Sequence, residues 1–205
     1  MQRTSIFPRT LSVVVLHTFG QSIHEYYRLG KANVFPEVCG CPQDRCGYPG
    51  RLRRHGFYER NALAVTISYR IVVARYLCPV CGRTVSVLPS FLLSRFQYSF
   101  ACIVLSMFIR ASRRVSMACA AAIMSAKARG RAITERHISF WEERMDSQKR
   151  LASPVLLLHG CTLPAETDVR FCEHLAKTML SCYPPVKLNL DFYAFHRRPF
   201  MKKTA

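Results

Sequence analysis

Two groups of closely spaced cysteines set the tightest limit on how this chain can fold. Cys39, Cys41 and Cys46 lie in a stretch broken by Pro and Gly, and Cys78-Pro-Val-Cys81-Gly82 follows 31 residues after Cys46. In an intracellular chain, thiols paired at such spacings are metal ligands more often than disulfide partners. Four thiolates hold Zn²⁺ tetrahedrally at about 2.3 Å, which draws two turns together. The second group is a well-formed knuckle, with Pro after the first thiol and Gly after the second. The first group repeats those ends in Cys41-Pro42 and Cys46-Gly47 but separates its thiols by four residues, and Cys39 is an alternative first ligand. The expectation is one structural Zn²⁺ on Cys41, Cys46, Cys78 and Cys81. Four thiolates leave no open position for Lewis-acid chemistry. Cys102, Cys119, Cys161, Cys172 and Cys182 lie mostly in apolar helical patterns, where cysteine is a small hydrophobe.

The segment between the groups reads as strand. Residues 52–58 come first, then a turn at Glu59-Arg-Asn61, then 65–77, where Val65, Ile67, Tyr69, Ile71 and Val73 alternate with polar positions. A short strand follows over 83–88. A β-rich run at 11–16 and a helix at 22–29, stopped by Gly30, form a lead-in. Beyond Pro89 the period becomes helical, which predicts helices at 97–111, 115–128 and 133–150 and another near 169–180. The tight Arg129-Gly130-Arg131 link between the second and third helices fits a helix-turn-helix. The predicted fold is α+β: a small antiparallel zinc ribbon followed by a helical, helix-turn-helix-like domain. The predicted parts are 1–35 as lead-in, 36–92 as ribbon, 93–150 as helical domain and 151–205 as a helical or irregular tail, with its basic end loosely held.

Charge then narrows the partner. The chain carries 30 Lys and Arg against 12 Asp and Glu, a formal net charge of +18. Such an excess calls for a polyanion. Residues 45–85 hold eight arginines and one acid, net +7, with Tyr48, Phe57, Tyr58, Tyr69 and Tyr76 interleaved. Guanidinium groups grip phosphate with a planar fork and stack on bases. The expected nucleic-acid contacts in the ribbon are Arg51, Arg53, Arg54, His55, Arg60, Arg70, Arg75 and Arg83. Residues 110–150 add ten Lys and Arg against four acids, net +6. Arg131, Thr134 and Arg136 would lie nearest base edges if the third helix enters a major groove. No stretch approaches the roughly 20 apolar residues that span a bilayer. Arg3 and Arg9 before residues 11–16 mimic a signal peptide only faintly, so the expected location is cytoplasmic, at the nucleoid.

Arg54-His-Gly-Phe-Tyr-Glu-Arg60 and Arg75-Tyr-Leu-Cys-Pro-Val-Cys-Gly-Arg-Thr-Val-Ser-Val-Leu-Pro-Ser-Phe91 resemble the N-terminal zinc-ribbon region of bacterial insertion-sequence transposases. They look closest to an uncharacterised family of short transposase-like proteins. Glu25-Tyr-Tyr-Arg-Leu-Gly-Lys31 and Phe35-Pro36 are similar to that family's lead-in, and the resemblance spans residues 10–145. It implies double-stranded DNA binding, with Cys41, Cys46, Cys78 and Cys81 on the family's ligand positions. A complete transposase continues into a catalytic domain with three acids on two metal ions. Here 55 residues follow Arg150, with Glu166, Asp168, Glu173 and Asp191 as their acids. That is short for such a domain, so the expectation is a DNA-binding protein without catalysis. The alternatives are an RNA-binding or ribosome-associated ribbon, and a transposase or nuclease fragment working with a partner chain. A homodimer or a transposase chain is a further expected partner.

Overall fold

The computed structural model describes residues 13–128, 132–161, 171–182 and 184–201. The apolar run Val13–His17 is strand β1. Helix α1 (Ile23–Leu29) starts at Ser22 in a reciprocal cap: the Ser22 hydroxyl accepts from Glu25 N, and the Glu25 carboxylate accepts from Ser22 N. Gly30, at φ +50°, ends it in a conformation that favours glycine. Strands β2 (Arg53–Leu63) and β3 (Ser68–Leu77) pair antiparallel along their whole length, and β4 (Thr84–Pro89) pairs antiparallel with Ala74–Leu77 of β3. β1 then lies parallel to β4, from Val13 beside Val85 to His17 beside Pro89. The sheet order is β1-β4-β3-β2.

This sheet is mixed, not purely antiparallel, because the lead-in is built into it. Past the stretch of β3 that β4 covers, the Tyr26 hydroxyl of α1 donates to the Val72 carbonyl at 2.7 Å. The ring of Tyr26 is fully buried against Phe19, Phe35 and Phe91. Residues 13–35 therefore share one core with Ile71, Val73, Ala74, Val85 and Val87.

Six further α-helices among the described residues complete the chain. α2 (Phe100–Arg113) and α3 (Met117–Lys127) are capped by Ser99 and Ser116, whose hydroxyls accept from Cys102 N and Cys119 N. α4 (Glu135–Asp146) and α5 (Lys149–Leu158) follow, then α6 (Phe171–Ser181) and α7 (Pro185–His196). They enclose a second core around Phe100, Ile103, Met107, Met124, Trp141 and Phe192. Arg110 of α2 reaches Glu142 of α4 at 2.7 Å and Glu173 of α6 at 3.4 Å, with the Glu142 carboxylate almost wholly buried. An acid held there is stable only beside its cation.

Three features differ from the sequence expectation. The predicted turn at Glu59-Arg-Asn61 lies inside β2, and the reversal comes at Ala64–Ile67, where Ala64 N donates to Ile67 O. Glu59 and Asn61 are exposed while Arg60 turns inward, so the polar triplet is an alternating strand and not a loop. The predicted helix 133–150 is two helices, parted at Ser147 and the fully buried Gln148. After α6, Pro185 opens a further helix, α7, in a stretch expected only as a helical or irregular tail, and its missing N–H costs nothing there.

α7 is a clasp between the two cores. Leu188 and Phe192 are fully buried among the helices, while Leu190 and Tyr193 pack on the sheet core. Buried Asn189 donates to the carbonyls of Ser90 and Leu92 at 2.8 and 3.1 Å, and the Tyr193 hydroxyl donates to Val14 O at 3.1 Å. The described residues between 151 and 201 are in this respect part of the fold, with Phe200 and Met201 in the helical core; Lys202 and Lys203 lie outside the described residues. Asn189→Ala leaves two buried carbonyls without their donor, and we expect it to lower unfolding free energy by about 1–3 kcal/mol. Urea denaturation of the two proteins checks this.

Candidate metal centre

The turn between β3 and β4 carries Cys78 and Cys81. Cys78 N donates to Arg83 O and Gly82 N donates to Cys78 O, and the +66° φ of Gly82 lets the chain reverse. The first group sits on a small hairpin-like excursion. Leu52 N donates to Val38 O, Gly40 N to Gly50 O and Cys41 N to Tyr48 O, which folds 38–41 back along 48–52. Cys46 N donates to Gln43 O in the turn between the two thiols. The two extra residues of the first knuckle are thus absorbed by a local turn.

The Sγ atoms of Cys41, Cys46, Cys78 and Cys81 all lie within 4.8 Å of one another. Cys41 and Cys81 are 3.7 Å apart, and Cys46 and Cys78 are 3.6 Å apart. All four are free thiols, and the cluster can hold one metal ion. It is the one such group of His, Cys, Asp and Glu among the described residues. Cys39 is not in it: Cys39 pairs with Arg51 across the excursion, and Gly40, at φ +77°, turns the chain before Cys41. His55 is not in it either, and sits exposed at the irregularity between Arg54 and Gly56.

Burial pushes the Cys41 thiol up to about 12. At Cys78 burial opposes ionisation too, but backbone N–H groups of Cys81 and Val80 outweigh it and bring the thiol down to about 7. The two thiols are thus biased in opposite directions, Cys78 towards the thiolate and Cys41 towards the neutral thiol.

The predicted arginines do not all serve one surface. Arg53 is exposed on β2, and Arg45, outside the predicted set, is exposed on the first knuckle. Arg83 donates to the Gln43 side chain at 2.7 Å, which ties the two knuckles together beside the sulfurs. Arg51 pairs with Glu37 and Arg70 with Glu59, both at 2.6 Å and both exposed. Arg54 lies over Phe35, Phe57 and Tyr76, and Arg75 lies over Tyr58. Arg60 donates to the carbonyls of Leu93 and Phe96, fixing the chain before α2 to the sheet, and burial lowers its pKa. Glu37 lay outside the predicted set; its place next to the first cysteine group was the available signal.

In the helical part, Thr134 is the cap residue of α4, where Thr134 N donates to His137 Nδ1 at 3.1 Å. Arg136 is exposed in the first turn, and Arg131 lies outside the described residues. No described helix is long and apolar enough to cross a membrane. No protein-family model, curated protein or solved structure matches the chain.

Two outcomes follow from the sulfur geometry. Cys41→Ser should lose the bound metal while Cys39→Ser retains it, read as metal per chain after gel filtration. Because a metal needs thiolates, loading should release more than one proton per ion, and apparent affinity should fall roughly tenfold or more for each pH unit below 7. Chelator competition across pH measures this.

Proposed function

We propose that the protein is a zinc-ribbon protein that binds duplex DNA and cuts no strand. The observation that carries this reading is the sulfur cluster. A tetrahedron with Zn–S bonds of about 2.3 Å has S–S edges of about 3.8 Å, and the Cys41–Cys81 and Cys46–Cys78 distances of 3.7 and 3.6 Å fit it. Cys41 and Cys46 on one knuckle and Cys78 and Cys81 on the other would hold the ion, which would supply cross-linking and not chemistry. Cobalt or iron would be accepted by the same thiolates, so the assignment to zinc rests on the two-knuckle spacing and its resemblance to zinc ribbons.

DNA binding is supported by the net charge of +18 and by exposed Arg45, Arg53, Arg70 and Arg136. The two exposed ion pairs, Arg51–Glu37 and Arg70–Glu59, are of a kind worth about 0–1 kcal/mol, weak enough for phosphate to displace the carboxylate. α3 and α4 pack on each other and on α2, an arrangement compatible with a helix-turn-helix whose second helix opens at Thr134 and Arg136. The resemblance to transposase ribbons points the same way. The binding role without cleavage is supported by the two described C-terminal acids: Glu173 is paired with Arg110, and Asp191 with Lys187 and His159, while Glu166 and Asp168 lie outside the described residues.

Purified under reducing conditions, the protein should carry one zinc per chain, and Cys78→Ser should lose it together with the folded ribbon. Its affinity for a mixed-sequence duplex should fall with salt at a log–log slope of roughly −4 to −7. With supercoiled plasmid and Mg²⁺ it should leave the plasmid intact. A salt-independent affinity, structured RNA bound more tightly than duplex at equal ionic strength, or nicking lost on Asp191→Ala would each overturn the reading.

A further inference from the structure

An open cleft of about 470 Å³ lies where the segment before the first knuckle meets the start of β2. That volume suits a nucleotide-sized ligand. Phe35 and Tyr76, 7% and 4% exposed, contribute its apolar floor. Its walls carry Arg51, Arg53, Arg54 and a single carboxylate, Glu37.

Arg54 is the most constrained of these cations. Its guanidinium carbon stands 5.5 Å from the ring centre of Phe35 and 5.6 Å from those of Phe57 and Tyr76. Its Nη2 donates to the Tyr76 hydroxyl at 3.1 Å, and that hydroxyl donates onward to Pro36 O at 2.6 Å. The residue is nevertheless exposed. A planar cation placed within about 6 Å of three ring centres, with surface remaining to solvent, offers a platform on which a nucleobase can stack.

Glu37 does not suit a plain phosphate site, since it would repel the ligand. A carboxylate only accepts hydrogen bonds, so it asks for N–H groups. Among the bases, guanine presents N1–H and N2–H side by side, matching two carboxylate oxygens. The pair Glu37 makes with Arg51 is exposed on both sides, 60% and 67%, and is readily exchanged for ligand contacts.

The geometry points to a subsite for one unpaired guanine nucleotide: base on Arg54, N1–H and N2–H on Glu37, and 5′-phosphate on Arg51 and Arg53. This deepens the DNA-binding reading and rests on it. The nucleotide is either free or the unpaired residue of a strand, and both present the same chemistry.

The test uses the full, zinc-loaded chain titrated with GMP, UMP, and short single strands of thymidine with and without one central guanine. We expect GMP, or the guanine strand over the all-thymidine strand, to bind at least tenfold more tightly than its control. Binding of GMP identifies the free nucleotide as sufficient, and binding of the guanine strand alone assigns the site to strand-borne guanine. Glu37→Gln should reduce the guanine preference to under twofold, with UMP bound no more weakly than before because the carboxylate no longer repels its phosphate. Arg53→Ala, at an exposed position, should weaken GMP at least fivefold and leave guanosine unaffected. Equal binding of guanine and uracil or thymine ligands overturns the proposal. So does the absence of both GMP and strand binding in a protein that still binds duplex DNA, a pattern distinct from failure of the DNA-binding reading, in which duplex binding is lost as well.

Discussion

Four sulfur atoms gathered within 4.8 Å tie a Gly- and Pro-rich excursion to the turn between two strands, and the basic half of the molecule is organised around that junction. Val38 and Leu52 seat the ends of the excursion in the sheet core, and Cys78 seats the turn in it. The excursion is held to itself by three backbone hydrogen bonds at 38–41 and 48–52, and across the junction by the sulfurs and the Arg83–Gln43 contact. What the excursion positions is considerable. It ends at Leu52, 2% exposed, and delivers Arg51, Arg53 and Arg54 at the entry to β2. The cluster and the arginine-lined cleft are thus consecutive parts of one piece of chain.

Electrostatics divides the arginines by the work their neighbours do. Arg110 sits between two acids in the helical core, where its loss would strand a buried carboxylate. Arg60 is fixed to main-chain carbonyls and joins sheet to helices. Arg54 and Arg75 lie on aromatic rings. Only the remainder, led by Arg53 and the weakly paired Arg51 and Arg70, can exchange partners at little cost. A high net charge is therefore a poor guide to how many cations meet a polyanion.

Much of the local structure was legible because it depended on neighbours in sequence. The alternation of Tyr69, Ile71 and Val73 located β3, Cys-Pro-Val-Cys-Gly located its following turn, and the four clustered thiols were those the spacing selected. The choice between Cys39 and Cys41 was decided by the positive φ of Gly40 and the pairing of Cys39 with Arg51, which spacing does not reveal. Polar Glu59-Arg-Asn61 looked like a turn because the use of Arg60 depends on carbonyls more than thirty residues away. β1 joining β4, and Asn189 reaching Ser90 across 99 residues, are long-range pairings with no local signature. The ion pairs of Arg51 and Arg70 were unreadable for the same reason: a charge count along the chain does not say which opposite charges fold beside one another.

The clasp role of α7 carries a consequence for biosynthesis. Both cores take side chains from a helix that follows every other described element in chain order. A nascent polypeptide arrested before Pro185 would display apolar surface from sheet and helices alike, and domains otherwise tend to fold as they emerge. Completion of translation through α7 is thus coupled to closure of the hydrophobic interior, which makes prematurely terminated copies conspicuous to chaperones and proteases.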